Sequence, residues 1–140
     1  MTETVVGLPS GYRTTSAKIM RILAMATGTL AVVQFALAGF GAFGSFSHHR
    51  NWGPHETLGT IIGVFALLTM IAAIVARPGR LPLIASITLL VVAGPLQPIL
   101  AEAGKDHAWV GALHALGGVA VLAMCGLVSR KIDATPAAAV

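Results

Sequence analysis

The sequence predicts an all-α integral membrane protein, an antiparallel four-helix bundle, from its composition and from four long apolar runs. Of its 140 residues, 56% are hydrophobic and only 10% are charged, whereas an ordinary soluble domain carries about 25% charge. The mean hydropathy is +0.84, and a chain this short cannot hide so much apolar surface from water. The composition therefore excludes a soluble domain, a disordered chain and a nucleic-acid-binding protein, and it predicts contact with a lipid bilayer.

Four uncharged apolar runs predict the membrane-spanning helices. Each run has at least 20 residues, the length with which an α-helix crosses roughly 30 Å of hydrocarbon. Strands are excluded because the runs are continuously apolar rather than alternating, and backbone groups within lipid then require helices. Short connections join the later runs, so consecutive helices are antiparallel neighbours. The predicted spans are residues 22–47, 57–76, 81–101 and 108–129.

The N-terminal region also has features of a cleaved signal peptide. Lys18 and Arg21 precede an apolar run that contains an Ala-x-Ala site at 36–38, which is the pattern of such peptides. The run continues beyond that site through Phe40 and Phe43. We therefore expect a retained first helix.

A single domain, 17–132, is expected between flexible tails at 1–16 and 133–140.

The basic residues predict the orientation of the bundle. Cytoplasmic loops carry an excess of Lys and Arg, so both termini are predicted to lie in the cytoplasm. Seven of the nine basic residues share that side: Arg13, Lys18, Arg21, Arg77, Arg80, Arg130 and Lys131.

The histidines are the main functional candidates. In the predicted topology all five lie at or near the outer side, and polar residues within a membrane are costly and therefore functional candidates. His55 is followed four residues later by Gly59, and His114 by Gly118, so each pair shares a helical face. A glycine beside a histidine leaves space for a large flat group, although small residues at this spacing also serve plain helix packing.

A weak internal repeat links these histidines to two glutamines. The first and third spans both run outward and carry Gln34 and Gln97 in their outer halves, while the second and fourth run inward and begin with His-x-x-x-Gly. Two helix hairpins related by an axis along the membrane normal would form such a parallel pseudo-repeat. This arrangement places His55 and His114 on facing helices.

Two facing imidazoles predict a ligand pair for a metal, with heme b as the first choice. Neutral imidazole binds heme iron, zinc and copper. A structural or catalytic zinc site needs three or four protein ligands, which makes zinc less favoured, while copper stays open because several histidines fall on the outer side. Groups suited to heme propionates also occur near the outer interface: Arg50, Lys105, Trp52 and Trp109.

The choice of the second histidine depends on depth. If Arg77 and Arg130 mark equal depth, His114 lies about 9 Å deeper than His55 at 1.5 Å per residue. His107 matches the height of His55 better and is the alternative ligand. His114 remains the first choice because it lies well inside a span.

Three segments carry a resemblance to known proteins: QFALAG at 34–39, HETLG at 55–59 and LHALGG at 113–118. They resemble the landmarks of a small uncharacterised bacterial family of four-helix membrane proteins, which implies a multi-pass protein of the bacterial plasma membrane. The His-x-x-x-Gly pattern is more distantly similar to four-helix b-type cytochromes and to the half-units of heme A synthase. In those proteins paired histidines of the second and fourth helices ligate heme, which implies His55 and His114 here.

Three functions follow as hypotheses. The first is a heme b protein that passes electrons to or from a quinone or a redox partner protein. The second is a cofactor-free structural or assembly subunit, in a homo-oligomer or a larger complex, and the third is a metal-handling or transport protein. No catalytic residues and no stand-alone enzyme activity are predicted. The candidate binding residues are His55, His114, His107, Gly59, Gly118, Gln34 and Gln97, of which His55 and His114 are the metal ligands.

Overall fold

The structure, a computed structural model, describes residues 10–44 and 48–130, and within these ranges it contains helices and no strand. This confirms the predicted all-α class. A π-helical turn, Val92–Leu96, joins the third and fourth helices into one continuous rod. The five helices are α1 (Ser10–Phe43), α2 (His48–Ala76), α3 (Arg80–Val91), α4 (Gln97–Ala103) and α5 (Ala108–Ser129).

Four stretches of these helices are long and apolar enough to cross a membrane, as in a multi-pass membrane protein. They match the four predicted spans in order. Each of the two connections that the structure describes in full is short, so the helices on either side of it run antiparallel. The four stretches are Gly11–Phe43, Asn51–Ala76, Arg80–Ala103 and Ala108–Ser129.

The first two helices begin earlier than the apolar runs that predicted them. Helix α1 begins at Ser10, within the predicted tail 1–16, and α2 begins at His48, ahead of the run that starts at Thr57. Hydropathy locates the part of a helix that crosses lipid, whereas the backbone hydrogen bonds of a helix propagate into polar sequence as well. Residues 1–9, 45–47 and 131–140, including the predicted tail 133–140, lie outside the described residues.

The helices pack in a closed ring. Helix α1 packs against α2, α2 against α3, α3 against α5, and α5 against α1, while α4 continues α3 along α5. Among the described helices, α1 and α3 make no close backbone contact, and neither do α2 and α5. These two pairs are therefore the diagonals of an antiparallel four-helix bundle.

The interior of the bundle is built from small side chains. Because lipid is as apolar as a side chain, helices in a membrane associate through close packing, which small residues permit. The buried hydroxyls of Thr27, Thr69 and Ser86 each donate to the carbonyl four residues earlier in the same helix, at 2.8 Å. One buried cluster comprises Ala31, Ile62, Ala66, Leu89, Ala93, Val121 and Cys125, and a second comprises Met20, Ala24, Ala73, Ala85 and Val128.

The π turn follows from its proline. Pro95 has no N–H, and in a regular α-helix its ring would clash with the carbonyl four residues earlier. A wider turn, with hydrogen bonds to the fifth residue, accommodates one extra residue. An extra residue rotates everything after it by about 100° around the helix, which changes the face on which Gln97 lies.

The two ends of the bundle differ in charge. The described carboxylates, Glu56, Glu102 and Asp106, all lie at the end that carries Lys105 and the histidines. The opposite end, which we call the basic end, carries Arg13, Lys18, Arg21, Arg77, Arg80 and Arg130.

Enlarging a buried alanine should destabilise the bundle. Ala66 is 0% exposed in the first cluster, so we expect Ala66→Leu to lower the free energy of unfolding by about 1–3 kcal/mol through overpacking. Thermal unfolding in detergent, followed by circular dichroism, measures this change. The matched control is Ala123→Leu, because Ala123 is exposed on α5; an equal loss in both variants would contradict the predicted packing.

Candidate functional site

Two histidines from diagonally opposed helices meet inside the bundle. His55 of α2 and His114 of α5 are half-buried, and their ring centroids are 6.1 Å apart with the ring planes at 56°. The indole of Trp52 packs edge-on against the His55 ring, with centroids 5.5 Å apart. The structure thus brings together the two histidines that the sequence selected.

A reciprocal pair of hydrogen bonds holds His55 to the neighbouring helix α1. The Gln34 side chain donates through Nε2 to the backbone carbonyl of His55 at 2.8 Å. In return, Nδ1 of His55 lies 3.2 Å from the backbone carbonyl oxygen of Gln34. We call this pair of bonds the Gln34–His55 bracket.

The second helix hairpin repeats the arrangement. Nε2 of Gln97 donates to the backbone carbonyl of His114 at 3.2 Å, and Nδ1 of His114 lies 3.0 Å from the backbone carbonyl oxygen of Gln97. An amide side chain, an imidazole and two backbone carbonyls thus form a second reciprocal pair, which we call the Gln97–His114 bracket. The pseudo-repeat predicted from the sequence is thus present in the side-chain contacts of the two hairpins.

The brackets determine which ring nitrogen is available. A carbonyl oxygen only accepts hydrogen bonds, so Nδ1 of each ring must carry the proton that it donates. In a neutral imidazole, Nε2 then has the free lone pair. No hydrogen bond of the described residues uses Nε2 of either histidine. Each ring is held by one nitrogen and offers the other as a ligand.

The glycines beside the histidines accommodate neighbouring side chains. A Cβ at Gly59 would lie 3.2 Å from Nε2 of Gln34, and a Cβ at Gly117 would overlap Nε2 of Gln97. The sequence pointed to Gly118, at the same i+4 spacing as Gly59, but a Cβ there would meet the ring of Phe35 at 3.0 Å. Gly117 is the residue that the sequence analysis missed, and the Gly117-Gly118 doublet was its signal.

His107 lies apart from this arrangement. Its side chain is exposed, and its backbone carbonyl accepts hydrogen bonds from the amides of Val110 and Gly111 at the start of α5. The depth difference calculated from the sequence made His107 the alternative partner of His55. Because the rings of His55 and His114 meet, that argument for His107 no longer applies.

Of the four groups that the sequence analysis assigned to heme propionates, the structure describes the side chains of Lys105, Trp52 and Trp109. Lys105 donates to Glu102, and this hydrogen bond raises the pKa of the ammonium group. Trp109 is exposed, while Trp52 lies against His55. The side chains of His48, His49 and Arg50 are not among those described. Within the described residues, no group of three or more His, Cys, Asp or Glu side chains could hold a metal ion.

Gln34 contributes one further polar atom near the pair. Its Nε2 donates to His55, but its Oε1 is buried and has no hydrogen-bond partner among the described residues. A buried acceptor without a partner costs about 1–3 kcal/mol. A ligand that donates a hydrogen bond at this position would remove that cost.

Substitution of Gly117 should disrupt the second bracket. A methyl group there overlaps the Gln97 amide, so we expect Gly117→Ala to lower the free energy of unfolding by about 1–3 kcal/mol. Unfolding in detergent measures this value. Gly126→Ala is the matched control in the same helix, because a Cβ there meets nothing within 4 Å, and it should change stability by less than about 0.5 kcal/mol.

A double-mutant cycle tests whether overlap with Gln97 causes the loss of stability in Gly117→Ala. In a Gln97→Ala background the overlapping amide is gone, so Gly117→Ala should cost less than about 0.5 kcal/mol. An undiminished cost in that background would show that Gly117 serves another contact.

Comparison with known protein families assigns the chain to a family. The model of DUF6220, a family of unknown function, matches residues 34–104, just over half of the chain. The matched region includes Gln34, His55, Gly59 and Gln97. Comparison with curated proteins and with solved structures finds no match, so the likeness to b-type cytochromes and heme A synthase stays a prediction. Because the family match covers more than half of its residues, the chain belongs to the DUF6220 family, whose function is unknown.

Proposed function

We propose that this protein binds heme b through His55 and His114 and transfers electrons in the membrane. The observation that supports the proposal is the spacing of the two rings. An imidazole nitrogen lies about 2.0 Å from a metal that it ligates, so the ring centroids of two imidazoles that would share one metal are at most roughly 6 Å apart. The centroids of His55 and His114 are 6.1 Å apart.

The donor set fits heme iron. His55 and His114 would be sufficient to hold a heme, because the macrocycle would supply the remaining nitrogen ligands of the iron. A zinc site would need three or four protein ligands, more than the two imidazoles that meet here. The helices that carry the two histidines are rich in Leu, Ile, Val and Gly, which suits a hydrophobic macrocycle.

The residues of the chain would orient and protect the ligands. A ligating histidine typically donates its other ring N–H to a carbonyl or carboxylate, which selects the tautomer and raises the basicity of the ligand. The two brackets supply this contact through the backbone of Gln34 and Gln97. Trp52 shields one edge of the His55 ring. Bound heme would supply the one-electron chemistry.

A membrane quinone is the electron partner that we propose. The hydroxyl groups of a hydroquinone donate hydrogen bonds, and Oε1 of Gln34 is a buried acceptor near His55 that has no partner among the described residues. A quinone also dissolves in the bilayer, which the apolar outer faces of the helices contact.

A cofactor-free subunit is the second candidate function, and the brackets also favour it. Both histidines are held by direct hydrogen bonds, and the space beside the glycines is filled by Gln34, Gln97 and Phe35. Interhelical hydrogen bonds within membranes contribute about 0.6–1.7 kcal/mol each. In this alternative each bracket fixes the register between the two helices of its hairpin. The bundle then serves as a structural or assembly part of a homo-oligomer or a larger complex.

We further propose that the basic end faces the cytoplasm of a bacterial cell, with both termini inside. In a Cys125→Ser background, a membrane-impermeant maleimide added to intact cells should label Asp106→Cys and leave Arg80→Cys unlabelled, because the two residues lie at opposite ends of the bundle. Both positions should react after the cells are opened. The reverse pattern in intact cells would contradict this orientation.

Heme binding should appear in the absorption spectrum. The purified full-length protein, expressed with a heme precursor supplied, should show sharp α and Soret bands in a dithionite-reduced minus oxidised spectrum. His55→Ala and His114→Ala should each abolish these bands, whereas His107→Ala, which changes an exposed histidine, should leave them unchanged. A soluble hydroquinone analogue should reduce the bound heme.

Rescue distinguishes ligation from folding. His55→Gly supplemented with free imidazole should regain the bands, since imidazole replaces the missing ligand. A featureless spectrum from helical, monodisperse wild-type protein would contradict heme binding and favour the cofactor-free subunit.

A further inference from the structure

The basic end of the bundle contains a groove that the histidine site does not involve. It lies where α2 ends and α3 begins and has a volume of about 370 Å³. Its lining combines two guanidinium groups with an apolar floor. The lining residues are Ala73, Ile74, Arg77, Gly79, Arg80 and Leu83.

The two arginines of the groove have no counter-charge within the described structure. Arg77 and Arg80 are both exposed, and the one ion pair of the described residues, Lys105 with Glu102, lies at the other end of the bundle. The described carboxylates all lie at that other end as well. An anion from outside the described chain would complete the groove, and a guanidinium group binds phosphate through paired hydrogen bonds.

The apolar floor indicates what kind of anion fits. Ala73 and Ile74 belong to the stretch Asn51–Ala76 and Leu83 to the stretch Arg80–Ala103, both long and apolar enough to cross a membrane. The groove therefore has arginines at the end of the spans, at the level of lipid headgroups, and apolar side chains on the membrane side. Gly79 has no side chain, and the space beside its Cα is open, since a Cβ there would meet nothing within 4 Å.

We propose that this groove binds an anionic phospholipid of the phosphatidylglycerol type. The phosphodiester pairs with Arg77 and Arg80, and the acyl chains lie along Ile74 and Leu83. Basic pockets between membrane helices recognise anionic headgroups in this way. The proposal depends on the bundle spanning a membrane and is independent of heme binding.

Native mass spectrometry of the full-length protein in detergent tests this proposal. Titration with dioleoyl phosphatidylglycerol should give a saturable one-to-one adduct, and dioleoyl phosphatidylcholine should bind at least ten-fold more weakly. In the double variant Arg77→Asn/Arg80→Gln, the affinity for phosphatidylglycerol should fall about twenty-five-fold, since each basic residue near a membrane surface contributes about five-fold. Asparagine is chosen because Arg77 has a φ of 49°, a conformation that asparagine tolerates.

The matched control removes two charges from the same end outside the groove. Lys18→Gln/Arg130→Gln should weaken the adduct less than three-fold, and both double variants should keep the wild-type circular dichroism spectrum. An equal loss in the two double variants would show general attraction of anions and overturn the proposal. Equal binding of phosphatidylcholine, or displacement of the lipid by millimolar inorganic phosphate, would also overturn it, the latter by indicating a free-phosphate site.

Discussion

In a bundle surrounded by lipid, a polar side chain has to find its partner within the protein, because no water is present to replace a missing hydrogen bond. The brackets Gln34–His55 and Gln97–His114 meet this constraint for the donors of both glutamines and both imidazoles by pairing them with backbone carbonyls. Oε1 of Gln34 remains without a partner among the described residues. Each bracket joins the two antiparallel helices of one hairpin. The position of both imidazoles, and with it every functional proposal for the site, depends on these bonds.

Close packing of helices makes the brackets geometrically feasible. A glutamine amide reaches the carbonyl of a histidine on the next helix only if the facing surface carries no side chain, and Gly59 and Gly117 provide that surface. The π turn serves the same end in the second hairpin, since its extra residue changes the face on which Gln97 lies. The turn of α3 into α4 and the absence of a side chain at Gly117 thus both contribute to the approach of Gln97 to His114.

The distribution of charge gives the molecule two chemically different ends. The histidine pair lies toward the end with the described carboxylates, and the groove of Arg77 and Arg80 lies at the basic end. The proposed electron-transfer site and the proposed lipid site lie toward opposite ends of the bundle and are compatible functions. They use separate residues, so the two proposals succeed or fail independently.

The sequence by itself determined the fold class and the order of the four spans. For the histidines it named His55 and His114 as the first choice and left His107 as the alternative. The spans could be predicted because hydropathy and charge are properties of whole helices. The histidine candidates could be predicted because the repeat of glutamine with His-x-x-x-Gly is visible along the chain. The apolar runs did not predict the first residues of α1 and α2, because these helices begin in polar sequence ahead of the apolar runs.

Only the tertiary structure decided which groups touch. It paired His114 rather than His107 with His55, and it showed that Gly117 accommodates Gln97 while Gly118 faces Phe35. These contacts depend on helix rotation, on the extra residue of the π turn and on which helices are diagonal. Spacing along one helix contains none of that information, because the distance between two side chains on different helices is determined by the packing of the whole bundle.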